Sequence, residues 1–162
     1  MKARYFEDFQ AGQVVEFGGV SVGADELQAF AEHYDPQPIH VDAAAAAVSP
    51  FGGLIASGWQ TAALTMRMLL DHFVDATNSL GSPGIGRLSW PLPVRPGDQL
   101  RVRVHVRAAR RSQTKPDRGL VTLDVETLNA RGDVVMRAED WIAILRVRNP
   151  SPTLTPESRA QP

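Results

Sequence analysis

Within the stretch YDPQPIHVD, residues Tyr34 to Asp42, a carboxylate and an imidazole stand five positions apart with two prolines between them. Pro36 and Pro38 each fix a φ angle, so Asp35 and His40 can be held in place at small entropic cost. An acid and an imidazole gripping one water molecule form a general acid–base pair. The same residues also read as an Asp-Pro turn whose histidine caps a helix or fills a gap, since Asp, Pro and His are common turn residues. The spacing taken alone leans towards the turn.

A second feature follows ten residues later, in PFGGLIASG. Gly52, Gly53 and Gly58 lie at the entrance to a helical pattern, where free backbone N–H groups and the helix dipole favour an anion or a developing oxyanion. Glycines here would equally let the chain bend tightly against a sheet. None of these segments has Walker or dinucleotide-binding spacing. With no cysteine in the chain, a thiolate nucleophile, a disulfide and a Cys-ligated metal are all excluded.

These residues need elements to position them. Leu27, Phe30, Ala31 and Tyr34 form the stripe of an amphipathic helix, with Gly23 as its N-cap and Val22 and Leu27 placed as a hydrophobic staple. Pro36 disfavours helical backbone in the residue before it, which puts Asp35 at a helix end. A short helix follows, with Asp42 in its first turn and Pro50 as its stop. ASGWQTAALTMRMLLDHFVD then reads as a long helix. Trp59, Ala62, Ala63, Met66, Leu69, Leu70 and Phe73 give it a broad apolar face, with only a narrow polar stripe at Gln60, Arg67 and Asp71, so it is expected to be largely enclosed.

From Gly84 the period changes to two. Leu100, Val102, Val104 and Val106 alternate with Arg101, Arg103, His105 and Arg107, the mark of a strand with one wet face. With QVVEFGGV, IGRLSWPL, LVTLDVETL and VVMRAEDWIAILRV, about five mostly antiparallel strands are predicted. The class is α+β: an antiparallel sheet whose apolar face is covered by the long helix. One domain over residues 1–148 is expected, with residues 149–162, rich in Pro and Ser, as a disordered tail.

Seventeen Lys and Arg against eighteen Asp and Glu, a net charge of −1, give no general electrostatic reason to bind nucleic acid or an anionic membrane. No aromatic residues interleave with the strand arginines as a single-stranded nucleic acid would require. The most apolar stretch is interrupted by Gly58, Gln60 and Arg67, so it reads as a core helix and not as a membrane span. The first residues turn acidic before any apolar run, unlike a signal peptide, and a cytoplasmic location is expected.

FAEHYDPQPIHVD, FGGLIASGW and GRLSWPLPVRPGDQLRV together resemble the MaoC-like hydratases, the (R)-specific enoyl-CoA hydratase group, from YFEDFQAGQ to about Arg148. The resemblance implies a hotdog fold, a curved antiparallel β-sheet wrapped around a long central α-helix. It implies that Asp35 and His40 are the catalytic pair and that the Gly58 N–H meets the thioester carbonyl. Tyr34, Gln37, Pro38, Ser57 and Gly53 are the implied substrate-binding positions. Asp35 would take the proton of water, and burial beside walls such as Tyr34 or Ile39 is expected to raise its pKa for that task.

The implied activity is that of an acyl-CoA hydratase or dehydratase, with no metal and no cofactor beyond the coenzyme A of the substrate, in a homodimer or larger homo-oligomer. A hotdog thioesterase and a non-catalytic acyl-CoA-binding subunit are the alternatives. The chain departs from the family pattern at Gln37, where Asn is usual, and at Ser57, where His often precedes the glycine. Both change the surroundings of the pair and leave Asp35 and His40 in place.

His33 is expected to face solvent, His72 to meet the dipole of the long helix at its C-terminus, and His105 to lie on a polar strand face. Trp59, Trp90 and Trp141 read as core or interface residues. Arg101, Arg103, Arg107, Arg110, Arg111 and Lys115 are the candidates for coenzyme A phosphates, with a solvated strand face as the competing reading.

Overall fold

The period-two stretches form five strands, β1 (Val14–Ser21), β2 (Arg87–Ser89), β3 (Gln99–Arg111), β4 (Arg118–Leu128) and β5 (Val134–Arg146), in a computed structural model that describes residues 3–150. The tail expected for residues 149–162 lies, from residue 151 on, outside the described residues. The strands run in the order β1-β3-β4-β5-β2, and all four pairings are antiparallel. In β3 the apolar members Leu100, Val102, Val104 and Val106 are buried, as their alternation requires, while the arginines between them stay on the outer face. Bulges at Gly18–Val20 in β1, Val106–Ala108 in β3 and Leu123–Val125 in β4 bend the sheet.

The long helix α4 (Gly58–His72) packs against β1, β3 and β5. Its approach to β1 depends on Gly18, at φ 102°, where a Cβ would stand 2.6 Å from the sulfur of Met68. The face it buries is not the one its apolar residues predict. Gln60, Thr61, Thr65, Met68 and Leu69 are buried, whereas Trp59 is 62% exposed and Met66 38% exposed. Threonine is tolerated inside because each hydroxyl finds a partner. Thr65 Oγ1 donates to the Thr61 carbonyl at 2.8 Å and lies 2.6 Å from Thr127 Oγ1 on β4. The expectation of a largely enclosed helix is therefore corrected: α4 lays a mixed, hydrogen-bonded stripe on the sheet and leaves an apolar side open.

Three shorter helices carry the turn. The helix α1 (Ala24–Tyr34) starts with Val22 and Leu27 both buried, as a staple would have them, and ends one residue before Asp35. Pro38 opens α2 (Pro38–Val41), where its missing N–H costs nothing. Asp42 is the N-cap of α3 (Ala43–Ala47), its Oδ1 accepting from the N–H groups of Ala44 and Ala45.

Candidate active site

Asp35 is the C-cap of α1, with its N–H bonded to the Ala31 carbonyl at 2.8 Å. The turn then winds tightly, the N–H of Gln37 donating to the Asp35 carbonyl at 2.7 Å and that of His40 to the Gln37 carbonyl at 2.8 Å. This places His40 on α2, buried, with Nδ1 2.8 Å from the Ile55 carbonyl oxygen. A carbonyl only accepts, so Nδ1 carries the proton and Nε2 of the neutral ring presents its lone pair. Nε2 lies 3.4 Å from Asp35 Oδ2. The turn between α1 and α2 thus brings Asp35 and His40 together.

The carboxylate is gripped on both oxygens. Gln37 Nε2 donates to Oδ1 at 2.7 Å and Ser57 Oγ donates to Oδ2 at 2.7 Å. These two bonds, that of Gln37 foremost, hold the Asp35 carboxyl below the usual aspartate range, with the nearby His40 adding a smaller push in the same direction. The expected upward shift is thus reversed. Its cause was to be burial beside Tyr34, but Tyr34 is 69% exposed, leaning on the rings of Phe30 and His33. Hydrogen bonds to the charged form outweigh desolvation here.

Ser57 is fully buried and does two things at once. Besides donating to Asp35, its Oγ accepts the N–H of Trp59 at 3.2 Å as the N-cap of α4. One side chain therefore ties the carboxylate to the helix whose first residue is Gly58. The Gly58 N–H belongs to the first turn of α4, where backbone donors have no intrahelical partner. Gly58 is required sterically as well: a Cβ there would be 2.8 Å from Trp90 Cε2.

Gly58 and His40 share the wall of a cavity of about 270 Å³. The rest of that wall is nearly all apolar, with Ile39, Phe51, Ile55, Trp90 and Leu92 prominent and Thr61 the polar exception. Asp35 is not part of the wall and reaches the site through its contact with His40. Of the remaining sequence candidates, Gln37 and Ser57 contact Asp35, Pro38 starts α2, and Gly53 lies against Arg95. Tyr34, Gln37, Pro38, Ser57 and Gly53 do not line the cavity.

Trp90, read from the sequence as a core or interface residue, lines the cavity, and Thr61, Phe51, Ile55 and Leu92 are wall residues that the sequence reading did not name. Trp90 stands in the SWPLPVRPGD segment that carries part of the family resemblance, and it pairs edge-on with Trp59 at 5.5 Å. Trp141 is in the core as expected. Among the described residues, no group of three or more His, Asp or Glu side chains is placed to hold a metal ion, and no helix is long and apolar enough to cross a membrane.

A five-stranded antiparallel sheet around one long helix is the hotdog fold, and an acid–imidazole pair beside that helix's N-terminus narrows the class further. Residues 8–128 match the family model described as MaoC like domain, and the chain belongs to the MaoC-like dehydratase family. A MaoC-like dehydratase from Rhodospirillum rubrum is 42% identical and superposes with a TM-score of 0.82, over 91% of this chain and 100% of that one. An (R)-hydratase from A. caviae involved in PHA biosynthesis is 28% identical with a TM-score of 0.65, over 85% of this chain and 97% of that one. The Mycobacterium tuberculosis protein Rv0216, described as a double hotdog fold, shares the fold at 21% identity and a TM-score of 0.74, over 95% of this chain and 46% of that one.

Proposed function

We propose that the protein adds water reversibly to a 2-enoyl-CoA, giving an (R)-3-hydroxyacyl-CoA. The observation that carries this reading is His40 Nε2, its lone pair set by the Nδ1 bond to Ile55, lying 3.4 Å from Asp35, with His40 and Gly58 on the wall of one cavity. The likeness to an (R)-hydratase supports the reaction and its stereochemistry.

In the hydration direction, a water held by Asp35 and His40 attacks Cβ. The π electrons of the alkene move through Cα to the thioester carbonyl oxygen, where the Gly58 N–H and the positive end of α4 stabilise the enolate. The proton from water passes to the pair. When the enolate collapses, the pair returns that proton to Cα, so one water has been added and nothing else consumed. A carboxylate held below the usual range is a weak base, whereas His40 Nε2 offers a lone pair because Nδ1 is committed to the Ile55 carbonyl. His40 therefore carries the proton, and Asp35 orients the water and stabilises the imidazolium across 3.4 Å.

The apolar side chains beside the cavity, Trp59, Trp90, Phe51 and Leu92, are between 38% and 62% exposed in the single chain, which suits a homodimer. A thioesterase reading needs a carboxylate on α4 aimed at the thioester. The first acid of α4 is Asp71, near its far end and ion-paired with Arg67 at 2.9 Å. The test is loss of the enoyl-thioester ultraviolet chromophore across a panel of enoyl-CoAs. Wild type should hydrate members of the panel, and Asp35→Asn and His40→Ala should each lose about 100-fold or more. No hydration by wild type, or full activity in both variants, overturns the proposal.

A further inference from the structure

The basic residues that the sequence offers for coenzyme A phosphates do not reach the cavity. On the outer face of the sheet, Arg101 and Arg103 pair with Glu16, Arg103 and Arg137 with Glu126, and Arg107 with Asp124. Arg111 is paired with Glu7. The guanidinium that does stand beside the site is that of Arg95. Its Nη2 donates to the carbonyl of Phe51, a wall residue of the cavity, and its Nη1 occupies the space that a Cβ on Gly53 would approach to 3.4 Å. Among the described residues, Arg95 forms no ion pair.

Arg95 lines a second cavity, of about 420 Å³, that shares Leu92 and Pro93 with the first. Its remaining wall is Asp98, Asn129, Ala130 and Arg131, polar except for the alanine. The one acid of this wall, Asp98, and Asp133 beyond it are already engaged. Asp98 Oδ2 accepts the backbone N–H of Arg95 at 2.8 Å, and Asp133 takes the Arg131 guanidinium at 3.1 Å. The two chambers share Leu92 and Pro93 and differ in chemistry: one is apolar with His40 as its single ionisable group, the other is polar and holds the Arg95 guanidinium, which enters no ion pair among the described residues although Asp98 lines the same chamber. A ligand that fits both has an apolar end and an anionic end.

We propose that the Arg95 chamber receives the phosphate ester at the far end of the pantetheine arm, with Arg95 as its principal partner and Arg131 assisting. This rests on the thioester reading of the first cavity. Coenzyme A and the prosthetic group of an acyl carrier protein share that phosphate ester, and the ligands below separate them. Guanidinium suits the task because its planar donor array matches phosphate oxygens.

The experiment measures equilibrium binding of coenzyme A, 4′-phosphopantetheine and pantetheine by titration calorimetry, beside enoyl-thioester hydration. Wild type should bind phosphopantetheine about tenfold or more tightly than pantetheine, and Arg95→Ala should abolish most of that difference. Arg95→Lys keeps the charge and loses the paired donors, so it should fall between the two. Arg131→Glu, at a side chain 82% exposed, should weaken coenzyme A binding by about threefold and provides a well-folded second variant.

Equal dependence on Arg95 for coenzyme A and phosphopantetheine places the phosphate shared by both carriers in this chamber. Dependence for coenzyme A alone places the nucleotide phosphates there and makes coenzyme A the source. Binding that is indifferent to Arg95 and Arg131 in every arm overturns the subsite, even if hydration is observed. Arg95-dependent binding without hydration leaves the subsite standing and removes the hydratase reading instead.

Discussion

Replacing Ser57 with alanine deletes one oxygen that makes two bonds, the 2.7 Å donation to Asp35 Oδ2 and the 3.2 Å acceptance from the Trp59 N–H. Loss of an N-cap costs about 1 kcal/mol. A hydrogen bond to a charged group is worth about 1.5–3 kcal/mol, and the lower end applies because the Asp35 side chain is partly open to water. The sum, about 2.5 kcal/mol, corresponds to a fall in Tm of about 5–10 °C for a chain of this size. The Asp35 pKa, depressed in the fold, contributes stability that is present above the ordinary aspartate value and lost as pH falls through the lower folded value. In Ser57→Ala the folded pKa rises towards the ordinary one, so that contribution shrinks. Denaturant unfolding at pH 7 and at about pH 3.5 should then show wild type losing more stability between the two than the variant does. Activity should fall by about 10- to 100-fold in kcat with little change in KM, since the carboxylate is displaced and not removed. A variant as stable as wild type at pH 7, with the same acid sensitivity, would refute the assignment of Ser57 as the link between Asp35 and α4.

Three further outcomes follow from the same geometry. Gly58→Ala forces a Cβ to 2.8 Å from Trp90, and should cost about 1–3 kcal/mol in denaturant unfolding together with most hydratase activity; adding Trp90→Ala should restore stability more than activity. Thr65→Val leaves Thr127 Oγ1 without its 2.6 Å partner and should destabilise by about 1–3 kcal/mol, whereas the double variant with Thr127→Val should recover most of that in a double-mutant cycle. Gln37→Ala removes the leading cause of the lowered Asp35 pKa, so carboxylate titration followed by NMR should show Asp35 moving up, and an unmoved value would contradict the 2.7 Å bond.

Much of the fold is legible in residue periodicity. The alternation of Leu100 to Val106 and the change of period after Gly84 are local properties of the chain, and they become strands because burying alternate side chains on one face needs no information from elsewhere. The face of α4 was not legible in this way. A count of apolar residues selects Trp59 and Met66 for the core, yet the sheet takes Thr61 and Thr65, because their hydroxyls are satisfied by a backbone carbonyl four residues back and by Thr127 on a distant strand. Neither partner is visible in a helical wheel.

The site divides along the same line. That Asp35 ends a helix and that His40 lies one stiff turn away follow from Pro36, Pro38 and the stripe of α1, whose constraints act within a few residues. What Asp35 and His40 become chemically was decided by one neighbour in the turn, Gln37, and by residues farther along the chain. Ser57, 22 positions on, and Gln37 together turn the expected rise in the Asp35 pKa into a fall, and the Ile55 carbonyl, 15 positions from His40, sets the imidazole tautomer. Trp90 makes Gly58 obligatory, and it is Arg95, not a strand arginine, whose guanidinium stands beside the cavity. Proline and periodicity act through the backbone and can be read in order, whereas protonation and pocket shape depend on which side chains folding brings within about 3 Å of one another.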